Sequence, residues 1–317
     1  MTFELTILGS SSAVPTSRRN LTAHVLNVHE RFFLIDCGEG TQLQIRKNKI
    51  RLGKINHIFI SHLHGDHLFG LFGLISTFSL LNRQMDLHIY AHPELERILN
   101  HHINYFERTL PFQIIYHSLD PKNNEIIYED KRVTVETIPL KHRIPTCGFL
   151  FKEKPHERNL KKNVVSQFNL SIREILSIKD GSALTLADGS IIPNHELTLP
   201  PYKQRSYAYC TDTAYSEKII PLIKEVDLLF HEATFTEQLS HQAKQTFHST
   251  AKQAAIIAQK ARAKKLIIGH FSARYKDITP LVEEANSIFT PVFPAEDGEK
   301  YVVGLERNSS NDNRLNS

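Results

Sequence analysis

Between Ile58 and His67 the chain reads Ile-Phe-Ile-Ser-His62-Leu-His64-Gly-Asp66-His67, an apolar strand-like run that delivers three imidazoles and a carboxylate within six positions. Neutral imidazole and carboxylate together suit Zn(II), with Mn, Fe or Ni as further candidates. Alternate residues of an extended segment point the same way, so His62 and His64 can converge on one ion. Asp66 and His67, beyond the Gly65 turn, can then reach a second. One tetrahedral ion sharing all four donors would be crowded, and a pair of ions needs further ligands from elsewhere in the chain. A histidine-rich surface loop is the plain alternative in a chain with 18 His, but Asp and Gly fall where a ligand and a turn are both needed.

A chain of 317 residues, 41% of them hydrophobic, is long enough for a large core, as one large domain or two ordinary ones. The charged fraction of 23% and formal net charge of +4 permit a polyanionic partner without requiring one. Cys37, Cys147 and Cys210 are widely spaced and odd in number, which favours reduced thiols and a cytosolic setting over a disulfide framework. The start, Met1 to Leu8, reads as a strand, and the apolar run Leu68 to Leu81 is too short to span a bilayer. No export signal or membrane anchor is expected.

Along the chain, Thr2 to Gly9 reads as a first strand, followed by a small-residue loop carrying Arg18, Arg19 and Asn20. That loop is either a phosphate cradle or an ordinary solvated turn. Ala23 to Val28 and Arg31 to Ile35 read as a hairpin that ends at Asp36, ahead of a helix near Thr41; Asp36 either orients a ligand histidine or caps the helix. Lys54 to Ile60 is a strand and Leu68 to Leu81 a buried helix. Leu87 to Ala91 is a strand, and His92-Pro93 opens a helix. Val133 to Ile138 alternates as a strand and delivers His142 just past its end, a ligand candidate or a polar loop residue.

From Lys152 to about Pro201 the texture changes. Lys152, Lys154, Arg158, Lys161 and Lys162 precede a polar stretch with one amphipathic run, Leu170 to Ile178. This predicts an insertion with too few apolar residues for a core of its own, either contacting an acidic ligand or forming a solvated excursion. Strand patterns resume at Arg205 to Tyr209, Val226 to Phe230 and Lys265 to Ile268, delivering Asp212, His231-Glu232 and His270. His248-Ser-Thr250 opens a helix to Arg262 with Ser249 or Thr250 as N-cap, and the tail 308–317 is expected to be disordered. The same construction recurs at His62, His142, Asp212, His231-Glu232 and His270, as in layered α/β folds where functional groups collect at strand ends facing one crevice.

These residues resemble the metallo-β-lactamase superfamily, through His62-x-His64-x-Asp66-His67 followed by His142, Asp212 and His270. Within it the chain resembles the ribonuclease Z (tRNase Z) family. That match rests on Pro15-x-x-x-Arg19-Asn20, Asp36-Cys-Gly-Glu-Gly-Thr-Gln42, His231-Glu232-Ala-Thr234, His248-Ser-Thr250 and His270-Phe-Ser-x-Arg274-Tyr275. The resemblance implies a single four-layer αβ/βα sandwich domain over 1–317 with a flexible tRNA-binding arm inserted at 152–201, and a cytoplasmic homodimer.

It also implies two zinc ions per subunit, or another divalent metal such as Mn(II). His62, His64, His142 and Asp212 would hold one, and Asp66, His67, Asp212 and His270 the other. Asp66, Glu232 and His248 would be the acid and base groups. Arg18, Arg19, Asn20, Arg274 and the basic residues of the arm would touch RNA. The implied activity is endonucleolytic removal of the 3′ trailer from precursor tRNA after the discriminator base, leaving a 3′-hydroxyl. A general phosphodiesterase on the same fold and a non-catalytic zinc-dependent RNA-binding protein are the alternatives. The chain departs from the family pattern at Ser17, where Lys is common, and at Asn169 to Glu174, where a Gly-Pro pair is expected near the arm tip.

Overall fold

The computed structural model describes residues 1–107 and 109–308, so nearly all of the tail predicted to be disordered lies outside it. The described residues form two compact units: 1–152 with 206–303, and 153–205 with 304–308.

The larger unit is built on two seven-stranded sheets. In the first, the strands run in the order Lys300–Val302, Phe3–Gly9, Ala23–Val28, Arg31–Ile35, Ile55–Phe59, Leu87–Ala91 and Ile114–Ser118. In the second the order is Val292–Pro294, Leu266–Gly269, Leu228–Glu232, Ser206–Cys210, Cys147–Glu153, Val133–Pro139 and Ile126–Glu129. Central strands such as Leu228-Leu-Phe-His-Glu232 are buried throughout, because they are covered on both faces. Between the sheets lies an aromatic layer that includes Phe33, Phe59, Phe149, Phe151, Tyr209 and Phe230. Outside the first sheet, Leu34 and Ile58 pack on Leu71, Leu74, Ile75 and Phe78 of the helix Gly70–Leu80. Outside the second, Leu229, Leu266 and Ile268 pack on Ala254, Ala255 and Ala258 of the helix Ala251–Ala261. The result is the expected αβ/βα sandwich.

The ends of both sheets that matter are those where parallel strands finish. Arg31–Ile35, Ile55–Phe59 and Leu87–Ala91 are mutually parallel. So are Ser206–Cys210, Leu228–Glu232 and Leu266–Gly269. Their C-terminal ends lead directly into Asp36, His62, Asp212, Glu232 and His270. The turn after Ile35 lies tightly against the start of the helix Gly70–Leu80: a Cβ on Gly70 would sit 2.0 Å from the Gly38 carbonyl oxygen, so only glycine allows the approach.

The smaller unit corrects the expectation that the insertion cannot build a core. Val164, Leu170, Ile178, Leu184 and Leu197 are buried together, with Phe168 and Ile175 packed against them. Short pairings, Asn159–Leu160 with Thr198–Leu199 and Leu184–Thr185 with Ile191–Ile192, bring these scattered residues together. Apolar content counted along the chain underestimates what such pairing can concentrate. The helix Ile172–Lys179 starts with a capping box between Ser171 and Glu174. Glu153 and Arg205, both buried, close the base of the unit with side-chain hydrogen bonds of 2.7 and 2.9 Å.

Candidate metal centre

The tertiary structure brings His62, His64, His142 and Asp212 into one group, Asp66, His67 and His270 into a second, and places Asp212 and His270 with His248 in a third. Asp212 joins them through its two oxygens. Oδ2 lies 3.5 Å from His62 Nε2 and 3.6 Å from His142 Nε2, while Oδ1 lies 3.2 Å from His67 Nε2 and 3.1 Å from His270 Nε2. Asp66 Oδ2 stands 3.5 Å from both His67 Nε2 and His270 Nε2. Three of the residues that feed this site sit in the left-handed region, Asp36 at φ 56°, Asp212 at 33° and His270 at 59°. These conformations are costly for residues with a Cβ, and they turn strand-end side chains sharply into the crevice.

The proton wiring behind the histidines decides which nitrogen faces inward. His142 Nδ1 must donate to the Phe247 carbonyl at 3.0 Å. His67 Nδ1 donates to Asp36 Oδ2 at 2.7 Å. The Ser61 hydroxyl donates to Asp36 Oδ2 at 2.8 Å and so accepts from His62 Nδ1 at 2.9 Å. Thr234 Oγ1 donates to Glu232 Oε2 at 2.6 Å and accepts from His270 Nδ1 at 3.0 Å. In each neutral ring the Nδ1 proton is used outward, which leaves a bare Nε2 lone pair aimed at the cluster. His64 instead turns Nδ1 inward, 3.0 Å from His62 Nε2 and 3.3 Å from His142 Nε2.

Bare lone pairs at these separations, facing buried carboxylates, repel one another unless a cation lies among them. Among the described residues the only bases within 4 Å of Asp36, Asp66, Asp212 and Glu232 are histidines. The donor set therefore fits divalent metal, all nitrogen and oxygen, with the outward hydrogen bonds expected of ligand histidines. In place of metal the carboxylates draw a second proton onto one ring: burial opposes a charge on His67, but Asp212, Asp66 and Asp36 outweigh it and raise its pKa well above 6.5. Burial also opposes ionisation of Asp66, but the charged His67 ring holds that carboxyl below its usual range.

Beside the cluster, Glu232 is buried at the end of its strand and accepts from the Thr213 amide at 2.7 Å and from His248 Nδ1 at 2.8 Å. Burial works against a charged His248 ring, and Glu232 overrides it, lifting the pKa to about 9. With Nδ1 committed to Glu232, Nε2 is the atom left to give a proton to a bound molecule.

The first loop closes on the same crevice, since the Ala13 amide donates to Asp66 Oδ2 at 2.8 Å. Of its polar residues, Asn20 is held by Asp297, which accepts from the Asn20 backbone at 2.6 Å and side chain at 2.8 Å. Arg19 lies with its guanidinium carbon 5.3 Å from the Phe271 ring centroid and near Glu296, while Arg18 is exposed. Arg274 stacks over Phe235 and donates to Gln242 Oε1 at 3.0 Å.

The basic residues of the insertion are spread apart. Lys152 is exposed on its strand in the larger unit. In the smaller unit Lys161 Nζ donates to the His195 carbonyl at 2.9 Å, Arg158 reaches Thr198 Oγ1 at 3.5 Å, Lys162 is exposed and Lys154 is half-buried.

Asp36 settles its own alternative: the helix Thr41–Lys47 has no side-chain cap, and the carboxylate instead takes hydrogen bonds from Ser61, His67 and Tyr209. Sequence reading did not find Ser61 or Tyr209. Tyr209 sits in an ordinary buried strand, where an aromatic residue gives no sign that its hydroxyl reaches a carboxylate 173 positions away.

Comparison with known proteins agrees with this geometry. A family model described as "Anti-Pycsar protein Apyc1" matches residues 3–167, and one described as "Beta-lactamase superfamily domain" matches residues 196–271. A ribonuclease Z from Phocaeicola vulgatus is 51% identical over 287 residues, covering 90% of this chain and 93% of that protein. A ribonuclease Z from Parabacteroides distasonis is 46% identical over 301 residues, 95% and 99% of the two chains. The crystal structure of human tRNase Z, short form, matches with a TM-score of 0.68 at 27% identity, over 94% of this chain and 98% of that one.

Proposed function

The chain belongs to the ribonuclease Z family, and on that premise we propose how its own residues carry out removal of the 3′ trailer from precursor tRNA. It is an endoribonuclease that processes tRNA 3′ ends. The observation that carries this is the identity of 46% and 51% to ribonuclease Z proteins along at least nine-tenths of each chain. A general phosphodiesterase and a non-catalytic RNA-binding protein are not favoured by relatives that match over this length.

The site takes two zinc ions, with Mn(II) or another divalent ion as a substitute. His62, His64, His142 and Asp212 hold one, and Asp66, His67, Asp212 and His270 the other; the support is the split of Asp212 Oδ2 and Oδ1 between the two groups. A pair of divalent ions so held lowers the pKa of bound water and neutralises charge on the phosphate.

The chain's own groups do the rest. The reaction forms a bond from water oxygen to phosphorus and breaks the bond from phosphorus to the 3′-oxygen of the discriminator nucleotide. His248 gives its Nε2 proton to that departing oxygen, and Glu232 keeps the ring charged until it does. Asp66, beside the first loop at the edge of the cluster, is the carboxylate placed to take the proton of the attacking water. Arg18, Arg19 and Arg274 position phosphates, and Asn20 shapes the loop that carries two of them.

Lys152, Lys154, Arg158, Lys161 and Lys162 supply further phosphate contacts to the tRNA. The protein acts as a cytoplasmic homodimer; supporting association are large exposed side chains on and after the helices Gly70–Leu80 and Glu94–Phe106, among them Leu80, Leu81, Met85, Tyr105 and Phe106. Among the described residues no helix is long and apolar enough to cross a membrane.

The test is cleavage of a precursor tRNA with a 3′ trailer, mapped to the nucleotide, before chelation, after chelation and after zinc is restored. A single metal-dependent cut after the discriminator base is the expected result. Metal loading without that cut would favour the general phosphodiesterase.

A further inference from the structure

His248 is a wall shared by two cavities. One, of about 520 Å³, is the metal crevice, and its lining includes the acids Glu39, Asp66 and Asp212. The other, of about 470 Å³, is lined by Lys141, Tyr215, His241, Lys244 and Gln253 and contains no carboxylate. None of these five residues belongs to the metal clusters or to the Glu232–His248 pair.

We propose that this second cavity is a phosphate subsite in which Lys141 and Lys244 hold the phosphate on the 5′ side of the nucleotide whose 3′-oxygen departs. The inference rests on the reaction assigned above. If His248 protonates the departing 3′-oxygen, the scissile phosphate lies on the metal side of the ring. The ribose of the discriminator nucleotide then lies at the ring itself, and the chain continues in the 5′ direction past His248. The next phosphate arrives in the cavity beyond.

The two cavities are suited to two phosphates by opposite means. The crevice sets Glu39, Asp66 and Asp212 against the single guanidinium of Arg143 and needs metal to balance its acids, whereas the second cavity offers two ammonium groups and no acid.

The lysines are placed for this task rather than for fold stability. Both are exposed, and among the described residues neither has a carboxylate within 4 Å, unlike Lys260 and Lys264, which pair with Glu217 and Asp227. Lys141 projects from a pinned backbone: its amide donates to Thr213 Oγ1 at 3.1 Å and its carbonyl accepts from the Ala214 amide at 2.8 Å. The neighbouring residue is His142, so the lysine is held in register with the metal cluster. Tyr215, whose hydroxyl donates to Glu217 Oε1 at 2.6 Å, is fixed in the same wall and offers a ring for a base to stack on.

The experiment uses precursor tRNA in which that single phosphate is replaced by an uncharged methylphosphonate. Wild-type enzyme is expected to lose about tenfold or more in kcat/KM on the modified substrate, the size of a charge-assisted contact. The double variant Lys141→Gln, Lys244→Gln is expected to lose a similar factor on unmodified precursor and to be indifferent to the modification. Its salt dependence should flatten by about one unit of slope. Lys141→Arg with Lys244→Arg should restore sensitivity, which a damaged fold would not do.

Wild-type enzyme that ignores the modification, or a double variant that remains fully sensitive, would overturn the subsite while leaving the reaction standing. Wild-type enzyme that fails to cut unmodified precursor after the discriminator base would overturn the reaction itself and the subsite with it.

Discussion

His248 Nδ1 lies 2.8 Å from Glu232 Oε1, and Glu232 is in turn fixed by the Thr213 amide and the Thr234 hydroxyl, so a buried carboxylate with no freedom to turn away holds the imidazole charged. A folded-state pKa of about 9 against an ordinary 6.5 has a defined sign. The ring stays charged up to about pH 9, and the stability the pair contributes is fully present below pH 6.5 and is lost as pH rises through about 9.

The first prediction follows from that pair. The rate on precursor tRNA should fall on the alkaline side as His248 loses its proton, with an apparent pKa at or somewhat below 9, since bound metal takes up the share of the shift that Asp212 supplies. Glu232→Gln should move this limb down to 6.5 or lower, because burial then acts without the opposing carboxylate, and His248→Ala should cost about 10²–10⁴ in kcat with metal content retained. A pH–rate profile measured alongside bound zinc checks both. An unchanged alkaline limb in Glu232→Gln would remove His248 as the acid.

Asp36 should govern metal affinity from behind the ligands. It accepts hydrogen bonds from the Ser61 amide at 2.7 Å, the Ser61 hydroxyl at 2.8 Å, His67 Nδ1 at 2.7 Å and the Tyr209 hydroxyl at 2.6 Å. Asp36→Ala leaves these donors buried and unpaired, at a cost of about 1–3 kcal/mol for each group. It should also weaken zinc binding about 10–100-fold, because His67 loses the partner that sets its tautomer. Competition with a chelator reads the affinity and denaturant unfolding reads the stability. Tyr209→Phe should lose only a fraction of either.

The base of the smaller unit should be acid-sensitive. Burial pushes the Glu153 carboxyl up, but the Arg205 guanidinium outweighs it and holds the pKa at about 2. Its ordinary value is 4.5, so the stabilisation is present above pH 4.5 and is lost as pH falls toward 2. Arg205→Ala, which strands a buried carboxylate, should destabilise this unit by about 3–5 kcal/mol. Hydrogen exchange across residues 153–205 is the measurement, and amides there should lose protection first as the pH falls.

The basic residues of the insertion should act on tRNA rather than on chemistry. Changing Lys152, Lys154, Lys161 and Lys162 to Gln should weaken precursor binding and lower the slope of log affinity against log salt by about one for each phosphate no longer neutralised. The loss on precursor tRNA should far exceed the loss on bis(p-nitrophenyl) phosphate. Equal losses on both substrates would make the segment a structural part of the enzyme.

The sequence determined the kinds of ligand, their order and the fold that presents them. His62-x-His64-x-Asp66-His67 is local, and the strand-like runs ending at Asp212, Glu232 and His270 are legible because burial of a two-faced sheet demands continuous apolar residues. Short or weakly patterned elements escaped, among them the edge strands Val292–Pro294 and Lys300–Val302, because three residues carry too little periodicity to register.

Only the tertiary structure decided how these groups share charge and protons. Which Asp212 oxygen faces which cluster depends on left-handed turns at strand ends. The direction of each imidazole depends on hydroxyl, carbonyl and carboxylate partners that mostly lie far off in sequence, such as Phe247 behind His142 and Asp36 behind His67. The pairing of a basic cavity with the metal crevice across one histidine is likewise a matter of packing. Spacing along a chain fixes which residues are neighbours on one strand, whereas hydrogen-bond direction and electrostatic coupling act across space and exist only once the sheets are assembled.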